Sequence, residues 1–417
     1  MTPTIALRDR CRACGSRHLR RFFQHARAPF TDDFVPPERA GTEFRHDVDV
    51  YWCPSCATAQ TLHDVDVTDY YRDYGYTVSE SAFALRFMDA LAGAVCERYG
   101  LGPGDTAIEI GSGDGAQLER FRVRGLEVLG VEPSETLCVA SRAAGVPVAQ
   151  TLFGPGTMRE LPQELLPAQA VVLSYTFDHL PDPLGFLEAA RELLDPERGV
   201  LVVEVHDLER IVDRREICLF EHEHSIYLTS LSFERLLERA GFQLLSTDLV
   251  PETVRRGNSL LVVAAPAGSS HAPATVDHGG AARFDDWDAF ADFQAAVDTS
   301  LASLAGHVRS AGRVAGYGAG GRGVMTLAAA GLGPGDIAYL CDRNTAFHEL
   351  LAPVSHVPVV PPRRALDDPV DEIVVFSFAY LDEIRRELDG HLARGGRLVS
   401  MLDLLVPEAR DTARRAA

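Results

Sequence analysis

The stretch Ala107-Ile108-Glu109-Ile110-Gly111-Ser112-Gly113-Asp114-Gly115 constrains the fold of this chain more than any other. Thr106 to Ile110 reads as a short buried strand, and three alternate glycines after it permit a sharp turn and a close approach of backbone to a ligand. Further apolar strand candidates follow at 127–131, 169–174 and 199–205, separated by helical patterns such as Pro183 to Leu194. That alternation predicts an α/β fold with a doubly wound parallel sheet.

The glycine spacing, Glu-x-Gly-x-Gly-x-Gly, lacks the last interval of the Gly-x-Gly-x-x-Gly dinucleotide fingerprint. It resembles instead the cofactor loop of class I methyltransferases. The resemblance implies S-adenosylmethionine held by Glu109, Gly111, Gly113, Asp114 and Gly115. Glu132, at the end of the 127–131 strand, stands where a carboxylate accepts ribose hydroxyls.

At 417 residues the chain exceeds the size of one hydrophobic core, so two or three domains are expected. No apolar run reaches the ~18 residues of a membrane span, and Met1 to Arg10 lacks the apolar core of a secretory signal. A soluble cytoplasmic protein is the expectation. The formal charge of −20 disfavours nucleic acid or an anionic membrane as partner. Oligomeric state stays open.

Four of the eight cysteines form two pairs, Cys11-Arg12-Ala13-Cys14 and Cys53-Pro54-Ser55-Cys56. Paired Cys-x-x-Cys knuckles let four thiolates surround one tetrahedral zinc ion, and a closed four-thiolate site leaves no position for substrate. The expected zinc is therefore structural. Cys96, Cys138, Cys218 and Cys341 read as packed thiols.

Pro266 to Pro273 is rich in small residues, Pro and Gly and reads as a linker. Phe284 to Ser310 then carries apolar residues at helical spacing. After it comes a second strand and glycine loop, Val314 to Gly323, followed by a helix and a strand at 337–341 that ends at Asp342. Gly316, Gly318 and Gly321 fit Gly-x-Gly-x-x-Gly, and Asp342 falls where a ribose-binding acid is expected. The loop suits a substrate phosphate at the helix amino terminus or, as the alternative, a nicotinamide cofactor.

Between the fourth strand and a helix beginning near Ser232 lies Glu221-His222-Glu223-His224-Ser225-Ile226-Tyr227. Loops at the carboxyl ends of parallel strands form the ligand crevice, so these titratable groups are expected to face the reacting centre. Histidine accepts a proton near neutral pH, and a neighbouring carboxylate orients it. A metal reading of His222, Glu223 and His224 lacks the His-Glu-x-x-His spacing of a zinc protease.

Taken in order, these motifs resemble the sugar C-methyltransferases that act on nucleotide-linked 4-keto deoxysugars. The matching residues include both cysteine pairs, Asp73-Tyr74-Gly75-Tyr76, Asp178-His179-Leu180-Pro181-Asp182, His222-Glu223-His224 with Tyr227, Arg256-Gly257-Asn258-Ser259, Tyr317 to Gly323, and Asp342-Arg343-Asn344. The resemblance implies a class I methyltransferase sheet with a zinc-binding module before it and a Rossmann-like domain after it. The corresponding bounds are 1–75, 76–265, a linker at 266–284, and 285–417. It also implies a chemistry in which a base removes the proton alpha to the ketone and the resulting carbon nucleophile takes the methyl group. His224 is then the leading base, Glu223 and His222 belong to the same catalytic set, and Tyr76 and His179 line the substrate side. Tyr74, Glu221, Tyr227, Arg256, Asn258, Tyr317, Arg322 and Asp342 are the implied contacts to the nucleotide sugar.

The chain departs from the family at informative places. Glu221 stands where members commonly carry tyrosine, and Arg322 replaces the lysine of the second glycine loop. Gly-Ser-Gly-Asp-Gly replaces Gly-Ser-Asn-Asp-Gly. A planar guanidinium keeps the charge but not the geometry of an ammonium.

Overall fold

The computed structural model describes residues 4–66, 72, 75, 79, 81–255, 257–273 and 275–406. Tyr74, Tyr76 and Arg256 of the expected site lie outside the described residues. Among those residues no helix is long and apolar enough to cross a membrane.

Five short strands come first: β1 (Ile5–Leu7), β2 (Arg20–Pro29), β3 (Arg45–Trp52), β4 (Ala59–Thr61) and β5 (His63–Val65). β2, β3 and β4 pair antiparallel in sequence, and β1 pairs with β5. In β3 the period of two buries Val48, Val50 and Trp52 and leaves Asp49 and Tyr51 partly exposed. The cysteine pairs occupy turns at the end of this unit that adjoins the next domain.

β6 (Thr106–Ile110), β7 (Glu127–Val131), β8 (Val148–Ala149), β9 (Ala170–Ser174) and β10 (Val200–Val205) run parallel. β11 (Ile226–Tyr227) leaves them and joins the first sheet, with Ile226 opposite Gln60 and Tyr227 opposite Ala59 in β4. β12 (Phe242–Ser246) and β13 (Leu260–Pro266) complete a seven-stranded order β12-β13-β10-β9-β6-β7-β8. The expected doubly wound sheet is present, and at this edge β13, a strand outside the sequence pattern, runs antiparallel to both neighbours. β12 and β13 are joined by residues 247–259, which among the described residues hold one 3-10 turn and no crossover α-helix, as in an antiparallel pair.

Successive residues of the central strands enter opposite cores, which explains their unbroken apolar runs. Ile108, Leu129, Val171 and Val203 pack on one face with Phe186, Leu187, Phe233 and Leu236. Ala107, Val128, Val172 and Val202 pack on the other with Phe87, Leu91, Leu118 and Phe121. The helix Ala82–Tyr99 starts where Ser81 accepts from the Ala84 amide and stops at Gly100 in the left-handed conformation. The helix Pro183–Leu193 is capped by Asp182 with proline in its first turn.

The third sheet is wholly parallel: β14 (Val314–Tyr317), β15 (Ile337–Cys341), β16 (Val359–Val360), β17 (Glu372–Val375) and β18 (Arg397–Ser400), in the order β16-β15-β14-β17-β18. Before it, the long helix begins at Phe293 rather than near Phe284. Asp286 caps a separate 3-10 turn, Trp287–Ala289, and Asp285 pairs with Arg235, so the acids that suggested a helix start are used in turns. The stretch 266–284 follows the central domain, with Ser270 donating to Glu197 O at 2.7 Å and His278 beside Glu234 at 2.7 Å.

One core joins all three parts. Phe22 and Phe23 of β2, Phe220 before β11, and Phe290 and Phe293 near the long helix stack together. The loop 217–227 is thereby fixed from both sides.

Candidate active site

A cavity of about 1400 Å³ lies where the three parts meet, at the carboxyl ends of the parallel strands. Its walls include Glu109 to Asp114, Glu132, His179, His206, Glu221 to Ser225, and Tyr317 to Asn344 at intervals.

On one side the loop after β6 turns through Gly111, Gly113 and Gly115, with φ of 73°, 54° and 83°. A Cβ on Gly111 lands 2.4 Å from Thr176 Oγ1, so the loop passes too close for any side chain, whereas nothing lies within 4 Å of one on Gly113. Glu132 ties this loop to the next strand, accepting from Gly113 N and Ser134 N, each at 2.9 Å. Burial raises Glu132 from its ordinary value against those two bonds. Asp114 accepts from Ala116 N at the following helix start. The cradle and the acid suit a cationic, ribose-bearing cofactor such as S-adenosylmethionine.

Four rings gather beyond that loop. His224 is buried, and its Nδ1–H donates to Leu219 O at 2.7 Å, which leaves the lone pair of the neutral ring on Nε2. His179 meets it edge-on at 4.6 Å between centroids, and burial lowers His179 to about 3. His206 lies 5.1 Å from His224 on another side and is itself 4.5 Å from Tyr175. His206 Nδ1–H donates to Asp178 Oδ2 at 2.6 Å. Burial favours the neutral form of Asp178, but His206, His179 and His224 outweigh it and hold the carboxyl well below its usual range. Burial lowers His206 to about 4 against the pull of Asp178.

Two carboxyls flank His222. Glu223 Oε1 accepts from Thr31 Oγ1 at 3.1 Å, and burial, with Asp32 nearby, raises it to about 8. Burial, Glu223 and Asp32 push Glu221 well above the carboxylate range despite Arg322. A Cβ on Gly321 comes within 2.3 Å of Glu221 Oε1, so the acid lies directly against the second glycine loop. His222 is held by Ala28 O on Nε2 and by His63 on Nδ1.

The third domain repeats the device of the first loop. Asp342 accepts from Ala319 N at 2.7 Å and from Asn344 N at 2.8 Å, as Glu132 does from Gly113 and Ser134. Tyr317 donates to Glu387, which also takes Arg343. Arg322 stands over the Phe378 ring at 5.1 Å, and its Nε has no hydrogen-bond partner among the described residues.

Other expected contacts act at one remove from the cavity. Tyr227 is fully buried, and its hydroxyl donates to His224 O at 3.1 Å. Asn258 Oδ1 accepts from Asp207 N at 2.7 Å and its backbone carbonyl accepts from Tyr175, so it braces the turn that carries His206. His206, Tyr175 and the pairing of His206 with Asp178 are not marked by any local sequence motif. His206 directly follows β10, and the rule that ligands gather at the carboxyl ends of parallel strands was the signal available.

In the first domain, Sγ of Cys11 is 3.6 Å from that of Cys56, and Cys14 is 3.6 Å from Cys53. All four sulfurs lie within 4.8 Å of one another. Thiolates on a tetrahedral zinc ion with bonds of about 2.3 Å stand about 3.8 Å apart, so the cluster fits. Both knuckles make the same turn: Gly15 N donates to Cys11 O and Ala57 N to Cys53 O, each at 2.8 Å, with Gly15 and Ala57 left-handed. Gln60 Nε2 donates to Cys11 Sγ at 3.0 Å.

Comparison with known proteins divides the chain in the same order. Residues 11–71 match a family described as "Putative zinc binding domain", residues 84–247 a methyltransferase domain, and residues 255–402 a C-methyltransferase C-terminal domain. The C-methyltransferase NovU of Streptomyces niveus is 29% identical over 412 residues, spanning 96% of each chain. Similar solved structures include magnesium protoporphyrin IX methyltransferase from Synechocystis PCC 6803 with bound SAM, 14% identical, covering 48% of this chain and 95% of that one, TM-score 0.35. A S-adenosylmethionine-dependent methyltransferase from Clostridium acetobutylicum ATCC 824 is 11% identical, covering 46% and 94%, TM-score 0.36.

Proposed function

We propose that this chain, an S-adenosylmethionine-dependent C-methyltransferase, methylates the carbon alpha to the ketone of a nucleotide-linked keto-deoxysugar. The observation that carries the reading is one cavity bounded by the methyl-donor loop, a histidine with an unshared Nε2 lone pair, and the glycine loop of a second Rossmann-like domain.

Bound S-adenosylmethionine supplies a methyl group that leaves sulfur without its bonding electrons. Glu109 to Gly115 and Glu132 are the residues that would hold it. The remaining work falls to the chain. Carbon becomes a nucleophile only after its proton is removed, and His224 Nε2 is the base for that step, its tautomer fixed by Leu219 O. The charge that develops on the ketone oxygen needs donors aimed at it. Glu221 and Glu223, both held neutral by burial, present O–H groups, so a protonated carboxyl at 221 takes over the donor role of the family tyrosine. His179 completes the substrate side, with Tyr74 and Tyr76 assigned there by resemblance. His206, with its Nδ1–H on Asp178, lies beside His224 as a second imidazole of the proposed site.

The second glycine loop and Arg322 suit the diphosphate of the substrate, since amides at a helix start and a guanidinium both favour phosphate oxygens. Asp342 and Tyr317, which line the same cavity, are assigned to the nucleoside end, and Arg256 is assigned to the substrate by resemblance alone. Four thiolates in the first module hold zinc as a structural staple, with no open position for chemistry. The domain bounds 1–75, 76–265 and 285–417 are part of the same reading.

Incubation with methyl-labelled S-adenosylmethionine and a panel of 4-keto nucleotide sugars tests it. Label on a carbon next to the ketone is expected, and loss of that label with His224→Ala. Solvent deuterium entering the sugar with no methyl transfer across the panel points instead to an enolising isomerase and refutes the reading.

A further inference from the structure

We propose that His46, His63 and His222 bind a divalent transition metal of the zinc, cobalt or nickel class at a site separate from the four-cysteine cluster. One ring nitrogen from each lies within 4.8 Å of the other two. His63 Nε2 and His222 Nδ1 are 3.1 Å apart. Two imidazole nitrogens on a tetrahedral ion with bonds of about 2.0 Å stand about 3.3 Å apart, so these rings need to move by only a fraction of an ångström to share one.

Two of the outer nitrogens are already committed. His222 Nε2–H donates to Ala28 O at 3.0 Å, and His46 Nδ1–H donates to Asp47 O at 2.8 Å. Those bonds place the lone pairs on His222 Nδ1 and His46 Nε2. A ligating histidine almost always donates its second N–H to a carbonyl or carboxylate, which sets both tautomer and ring orientation. A hydrogen bond between His63 and His222 accounts for two rings but gives no reason for the third.

The ligands come from three places: β3, β5 and the loop before β11. Ala28, whose carbonyl holds His222, is the register partner of His46 across β2 and β3. Phe44 closes one side, edge-on to His222 at 5.2 Å. His63 and His222 are 4% and 3% exposed, yet both reach the wall of the large cavity, so a bound ion keeps room for water or a substrate oxygen. Three histidines with one open position suit zinc, and imidazole suits cobalt and nickel as well. The ion would clip the catalytic loop to the first domain whatever ketone the cavity accepts.

The full-length protein expressed in cobalt-supplemented medium tests this by metal counting and absorption. Two ions per chain are expected, one with thiolate-to-cobalt charge transfer and one without. His46→Gln and His63→Gln are each expected to lose the second ion alone, with the thiolate band unchanged. A single ion per chain in the unmodified protein, carrying the thiolate band, overturns the proposal, as does a second ion that survives both substitutions. Should His63→Gln fail to fold, the stoichiometry of the unmodified protein and of His46→Gln decides.

Discussion

His206 and Asp178 share a hydrogen bond of 2.6 Å between Nδ1 and Oδ2, in a wall of the cavity that also holds His224 5.1 Å away. On the proposed reaction, His206 is a second imidazole able to take a proton beside His224. His206→Gln keeps the bulk and removes the second base, and a fall of about 10²-fold in kcat is expected, at the lower end of general-base effects. Asp178→Asn is expected to cost a similar factor by releasing the tautomer. Steady-state kinetics with labelled methyl donor checks both. Activity within twofold of the unmodified enzyme excludes a catalytic part for the pair.

Glu221 packs its carboxyl against Gly321, and that contact joins the loop before β11 to the second glycine loop. Because burial pushes the Glu221 carboxyl well above its usual range, Glu221→Gln preserves a donor of the same shape, and kcat is expected within about tenfold of normal. Glu221→Ala leaves neither donor nor bulk, and removing one oxyanion donor costs about 10²–10³ in kcat. Gly321→Ala drives a methyl into the buried Glu221 carboxyl, so both activity and melting temperature should fall. Equal loss in Glu221→Gln and Glu221→Ala would show that charge, not donation, is needed.

Strand positions were legible because a strand buried on both faces must be apolar throughout, and 106–110, 127–131 and 337–341 have those limits in the structure. Both glycine loops were legible for the same kind of reason, since close approach admits no side chain. The antiparallel β13 was not, as its sequence is as apolar as that of a parallel strand. The start of the helix at Phe293 was hidden because Asp285 and Asp286 serve turns as readily as helix caps. His206 and Asp178 lie 28 residues apart and meet only after β9 and β10 pair, which no local pattern encodes.

Asp207 caps the helix Leu208–Arg214, accepting from Glu209 N at 3.0 Å, while burial raises its carboxyl to about 6. An unfolded aspartate titrates near 3.9. Above about pH 6 the folded protein therefore carries an ionised acid that water would hold more favourably, and stability from this group rises as pH falls from about 6 to about 4. Asp207→Asn keeps the cap and removes the charge. A gain on the order of 2 kcal/mol is expected at pH 7.5, shrinking by about half at pH 5. Urea denaturation at the two pH values checks it, and a gain that grows on acidification contradicts the assignment.

Gly15 and Gly111 have almost the same left-handed φ, 74° and 73°, but different surroundings. A Cβ on Gly15 meets nothing within 4 Å, so Gly15→Ala bears only the conformational cost of about 1 kcal/mol. On Gly111 the same methyl lies 2.4 Å from Thr176 Oγ1, in the loop assigned to the methyl donor. Gly111→Ala is expected to raise KM for S-adenosylmethionine at least tenfold and to lower stability by more than Gly15→Ala does. Removing the obstructing hydroxyl and methyl in Gly111→Ala with Thr176→Ala relieves the clash but not the backbone strain, so KM should recover in part. Calorimetry and methyl-donor titration on the three variants separate the two costs, and an identical penalty at both glycines would mean that close packing against Thr176 contributes nothing.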